Sequence, residues 1–159
     1  MFKNAIKKTL QAVFLLLAFP MALLSLFGRI EEIFRFFAQY CALAPGLPGD
    51  YLRIAFYRLT LAECSIDSRI QFGSFFAHPQ ATVGRSVYIG SYCVLGRTAI
   101  GDRTQIASQV QILSGKRQHA RDEAGRMLGS EHGVFEQVSI GADCWIGAGA
   151  IVMADVGKG

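Results

Sequence analysis

Charge is scarce in this sequence. Of its 159 residues only 18% are Asp, Glu, Lys or Arg, while 52% are hydrophobic, a balance that excludes a disordered or acidic-tail protein. Closely spaced cysteines are missing too. Cys41, Cys64, Cys93 and Cys144 form no CxxC pair and no zinc-like pairing with histidine, so they read as small apolar fillers in a reducing compartment. The net charge of +4 is spread along the chain and not gathered into one stripe. That pattern argues against a nucleic-acid partner and suits a membrane surface better. The length accommodates one ordinary domain and an appendage.

Charge is absent altogether from Thr9 to Gly28, "TLQAVFLLLAFPMALLSLFG", a length close to that of a bilayer span. No small-residue cleavage site follows a shorter apolar core, which removes the signal-peptide reading. Lys3, Lys7 and Lys8 precede the segment, and Arg29 and Arg35 follow it. Both flanks therefore favour the cytoplasmic side. A re-entrant helix bent at Pro20 satisfies both flanks, and a spanning helix about 9–28 is the alternative. Ile30, Ile33, Phe34, Phe37 and Cys41 then recur at helical spacing, opposite Glu31, Glu32, Arg35 and Gln39. This predicts an amphipathic helix about 30–43. After the turn "APGLPGD", Asp50 is placed to cap a further helix about 51–61.

From Val83 the chain repeats in sixes. Branched aliphatics lead each unit at Val83, Ile89, Leu95, Ile100, Ile106, Ile140, Ile146 and Val152, with one five-residue step after Leu95 and one long interruption. Six of the eight second positions are Gly, and the fifth positions are small or β-branched, Cys93 and Cys144 among them. A period of six cannot keep one face of an α-helix. It fits short strands and tight corners, three flats to a triangular coil, with each aliphatic stacked on its counterpart one coil away. Ile66–Ile70 and Phe72–Phe76 read as a looser first coil. The interruption, residues 114–137, carries His119, His132 and eight charged residues. In a rigid repeat such an excursion is where chemistry is expected.

These repeats, with "RIQFGSFFAHP", "ILSGKRQH" and "GVFEQVSIGADCWIGAGAIVMADVG", resemble the hexapeptide-repeat acyltransferases. The similarity is to the maltose and galactoside O-acetyltransferase branch, in its exopolysaccharide-biosynthesis type. The resemblance covers about Leu61 to the end. It implies a mainly β fold, a left-handed parallel β-helix at 61–159 with a catalytic loop at 114–137, preceded by membrane-associated α-helices within 1–60. Relatives of this kind continue for another coil, so the domain looks incomplete at its C-terminus. The resemblance also implies an acyl-CoA-dependent O-acyltransferase using acetyl-CoA or another acyl-CoA, with no metal. His119 matches the general base, a role suited to the ordinary histidine pKa. Asp122, Glu123 and Glu131 are candidates to orient it, with Glu131 favoured by the resemblance. His78 matches a substrate-contacting position. Trp145 would wall the sugar or the pantetheine arm, and Gly147 and Ala148 would lend backbone amides to the cofactor or the thioester oxygen.

A homotrimer with sites between subunits is implied as well, at the cytoplasmic face of the bacterial inner membrane. There lipid and a lipid-linked or polymeric sugar acceptor would be partners. Two other readings remain. The chain has three histidines, His78, His119 and His132, as a γ-carbonic-anhydrase-like zinc enzyme would require, but the nearest two are thirteen residues apart. A non-catalytic scaffold would have no reason to interrupt its coil with a charged, histidine-bearing loop.

Overall fold

The computed structural model describes residues 2–114, 121–129 and 136–153, and side chains from Asn4 onward. Three helices come first: α1 (Phe2–Leu24), α2 (Glu31–Ala42) and α3 (Gly46–Thr60). Twelve short strands follow. They are β1 (Glu63–Cys64), β2 (Arg69–Ile70), β3 (Phe75–Phe76), β4 (Thr82–Val83), β5 (Tyr88–Ile89) and β6 (Val94–Leu95), then β7 (Thr98–Ile100), β8 (Gln105–Ile106), β9 (Gln111–Ile112), β10 (Val138–Ile140), β11 (Trp145–Ile146) and β12 (Ile151–Val152).

Each strand pairs in parallel with the third strand along, which gives three four-stranded sheets, β1-β4-β7-β10, β2-β5-β8-β11 and β3-β6-β9-β12. The chain thus visits the sheets in rotation, one rung per circuit. The lead residues fall into three register columns: Cys64, Val83, Ile100 and Ile140; Ile70, Ile89, Ile106 and Ile146; Phe76, Leu95, Ile112 and Val152. Most of these side chains are buried completely, and one continuous apolar cluster runs from them into the helices. Burying an Ile or Leu stabilises by about 1.5–3 kcal/mol, so the columns are the main cohesive feature of the strand region.

The expected fold class requires correction. The chain is not the mainly β, left-handed parallel β-helix that the resemblance implies. It is a mixed chain of three helices and three parallel sheets of very short strands, and its helical residues outnumber its strand residues. The reason lies in both halves. Four of every six repeat residues go into corners and only two into a strand. The first sixty residues, expected to be an appendage, form long helices whose buried side chains belong to the shared core.

At the corners the left-handed backbone falls at the fourth residue of the six: Ser86, Tyr92, Arg103, Gln109 and Asp143 have φ between 56° and 63°. The second-position glycine answers crowding. A Cβ at Gly90 would sit 2.6 Å from the Ser108 nitrogen on the next rung, and one at Gly101 2.5 Å from that of Ala142. No side chain fits there.

The helices cover the first rung. The Tyr57 hydroxyl accepts a hydrogen bond from the Phe76 amide at 3.1 Å, and Phe34, Phe56 and Tyr57 are fully buried beside it. Arg53, also fully buried, donates to the carbonyls of Ile70 (2.8 Å), Cys41 (3.1 Å) and Ala44 (2.7 Å) and to Asp50 (2.6 Å). Asp50 is therefore not the cap of a helix starting at Tyr51. It lies inside α3, whose preceding residue Pro45 makes no side-chain cap. Nor does the chain turn at Pro20. The helix α1 runs through it, and the reversal comes at Leu26, Phe27 and Gly28, all with positive φ.

Candidate active site

The corner between the third and first sheets is where the repeat opens. On the first rung it holds Ala77 to Ala81 and on the second Gly96 and Arg97, and on the third it releases residues 113–137. His78 is therefore two rungs below the root of the charged excursion, on the order of 10 Å at about 4.8 Å per strand. The excursion has a closed neck. The Ser114 carbonyl accepts from the Glu136 amide at 2.6 Å, and the Ser114 hydroxyl accepts from the Arg97 amide at 2.7 Å. Its ends are thus fixed to the rigid stack.

Of the residues expected to carry the chemistry, His119 and Glu131 lie outside the described residues, as does His132. Asp122 is described, and its own turn uses it. It accepts from the Arg126 amide at 2.9 Å and pairs with the Arg126 guanidinium at 2.8 Å. These bonds, the backbone one foremost, hold its carboxyl below the usual carboxylate pKa. Glu123 is exposed beside it.

His78 is half-buried, and its Nδ1 lies 2.6 Å from Glu31 Oε1. The pair ties the first turn of α2 to the corner and commits that ring nitrogen. Trp145 stands on β11 with 79% of its surface exposed, so it faces outward as expected. Gly147 and Ala148 follow at the corner between the second and third sheets.

Within one chain, then, the expected groups stand at two different corners. His78 and the excursion share one, and Trp145, Gly147 and Ala148 lead into another. No thiol competes as a nucleophile at neutral pH among the most buried cysteines: burial pushes Cys41 and Cys64 up to about 12.

Two residues that the sequence reading did not single out matter here. Glu31, 47 positions from His78, carries no periodic signal that would pair them. Arg97 occupies the five-residue step, and its Nε is buried with no hydrogen-bond partner among the described residues. Among the described residues no group of three or more His, Cys, Asp or Glu could hold a metal ion.

No protein-family model matches the chain, and no solved structure matches it. Among curated proteins it is similar to Nodulation protein L of Rhizobium leguminosarum bv. viciae, 39% identical over an alignment of 77 residues that covers 46% of this chain. That stretch spans 38% of the length of Nodulation protein L.

Proposed function

We propose that this chain is an O-acyltransferase, with acetyl-CoA as donor and a sugar hydroxyl as acceptor. The observation that carries the reading is the partial similarity to Nodulation protein L, which supports acetyl transfer. The geometry adds a rigid stack that is interrupted once, by a charged, histidine-bearing segment pinned at Ser114 and Glu136. The exposed indole of Trp145 fits an extended donor lying along the stack.

In this proposal His119 takes the proton of the acceptor hydroxyl, and Glu131 orients its imidazole. The acceptor oxygen attacks the thioester carbonyl, and backbone amides at Gly147 and Ala148 hold the developing oxyanion. The carbon–sulfur bond then breaks, and the proton passes from His119 to the departing thiolate. His78 contacts the acceptor. The two corners that hold these groups would meet between neighbouring copies in a homotrimer with shared sites. The acceptor would be a lipid-linked or polymeric glycan precursor at the cytoplasmic face of the inner membrane. A basic flank on either side of the apolar segment supports that location.

The test is thiol release from acetyl-CoA by the full-length protein over a panel of soluble and lipid-linked sugars, with and without His119→Ala. The expected loss on substitution is about 10²–10⁴-fold, the usual contribution of a general base, with an unchanged melting temperature. Near-normal turnover in the variant would remove His119 from the mechanism. Absence of acceptor-dependent thiol release across the panel would count against acetyl transfer.

A further inference from the structure

We propose that α1 lies flat in the headgroup boundary of an anionic bilayer, its outer face inserted, and does not cross the bilayer. By length and composition Asn4–Leu24 could span a membrane, but its inner face is already engaged. Lys7 pairs with Asp67 at 3.0 Å, the Gln11 amide donates to the Ile66 carbonyl at 3.1 Å, and Phe14 stacks on Tyr51 at 5.7 Å. Ala18 and Ala22 are fully buried. Ile66 and Asp67 belong to the first rung, and Asp67 is more than half exposed. For α1 to cross hydrocarbon, these contacts would break or the polar rung would follow the helix into lipid, and both are costly.

The outer face is of one character. Every exposed residue from Ala12 to Phe27 is apolar, including Val13, Leu16, Leu17, Phe19, Leu23, Leu24, Leu26 and Phe27, and Leu16 is 76% exposed. Such a helix, apolar outward and fastened to polar protein inward, has the build of an interfacial anchor. Its charges select the occupant. The first thirty residues contain no Asp or Glu, while Lys7 and Lys8 lie near one end and Arg29 just past the other. Anionic headgroups complement both ends. A second copy in parallel apposition would not, because it sets Lys8 against Lys8 and Arg29 against Arg29.

The test uses the full-length protein and does not depend on the proposed reaction. Trp145→Phe removes the single native tryptophan, and Val13→Trp, Leu17→Trp or Leu24→Trp, taken one at a time, place a probe on the outer face. Each variant is mixed with phosphatidylglycerol/phosphatidylcholine vesicles whose acyl chains are brominated at defined depths. The expected result is a blue shift at all three sites, with equal, shallow quenching depths. The paired change Leu16→Glu and Leu17→Glu should lower vesicle partitioning by about tenfold or more, since partitioning follows buried apolar area, with unchanged circular dichroism. A spanning helix would give different depths, because the outer two probes are about 16 Å apart along the axis at 1.5 Å per residue. Graded depths would overturn the proposal. So would failure to bind vesicles, or an oligomer that the paired substitution dissolves.

Discussion

Gln109 holds φ at 63° with an exposed side chain that makes no hydrogen bond among the described residues. An L-residue other than Gly, Asn or Asp pays about 1 kcal/mol for that backbone region. Gln109→Asn is therefore expected to raise stability by roughly 0.5 kcal/mol, read as an upward shift of the urea midpoint. Gly90 shows the reverse logic. Its backbone is ordinary, but a methyl group there would strike the Ser108 nitrogen. Gly90→Ala should cost about 1–3 kcal/mol by overpacking, although the same change at an unconfined strand glycine would be neutral or favourable. Arg53 has the largest expected effect. It is a buried cation shared between Asp50 and the carbonyls of both helical and strand segments. Burial presses its pKa below the usual arginine value, and the Asp50 carboxylate opposes that. Arg53→Met leaves Asp50 without its closest partner and should cost about 3–5 kcal/mol. Arg53→Lys should recover little, because an ammonium cannot reproduce the planar fork. Equal stability of the lysine variant would mean that only charge matters at this position.

At the scale of elements, the strands were legible because their signal is a period. A branched aliphatic every six residues has one geometric consequence, and the lead residues Val83, Ile89, Leu95, Ile100 and Ile106 each close one of the strands β4 to β8. The five-residue step at Leu95 cost only a shorter corner. Helices α2 and α3 were legible in outline from spacing, but the start of α3 was not. Asp50 has the chemistry of a cap, and local reasoning could not foresee that Arg53 would draw it inward. Pro20 misled in a similar way: a proline breaks a helix only where its ring or missing amide matters, and here the turn is made by three positive-φ residues beyond it. Gly28 carries that turn, with φ at 87° and no room for a Cβ against the Thr60 carbonyl. The fold class was not legible because the six-residue period says nothing of α1 to α3, whose buried side chains share one core with the strands. The site was legible only as far as the excursion itself. Its neck at Ser114 and Glu136 follows from the rung geometry, whereas the tie between His78 and Glu31 joins residues 47 apart through the packing of α2 on the first rung.

Over the whole molecule, the corner between the first and second sheets carries a ladder of ion pairs that crosses rungs. Asp102 accepts from the Arg85 amide at 2.8 Å and pairs with its guanidinium at 2.9 Å, and Arg103 pairs with Asp143 at 2.6 Å. The Arg85 amide, then its side chain, holds the Asp102 carboxyl below the usual carboxylate range, and the Arg103 guanidinium does the same for Asp143. A depressed folded pKa means that the unfolded chain binds the proton more readily. The stabilisation is thus complete above the unfolded value of about 4 and is lost as pH falls through the lower folded values. Both carboxylates lie at the surface, so each pair is individually weak and sensitive to salt. What they share is position, since each joins one rung to the next along the stack axis. The expected outcome is a melting temperature that is level from about pH 7 to 5 and falls below about pH 4. In Asp102→Asn the plateau should lie lower and the acid-side fall should be shallower, because the carboxyl that would have been protonated is gone. Added salt should narrow the difference without abolishing it, since the Arg85 amide bond to the side chain at 102 is not an ion pair. Identical acid limbs in the two proteins would show that the ladder contributes nothing to the cohesion of the rungs.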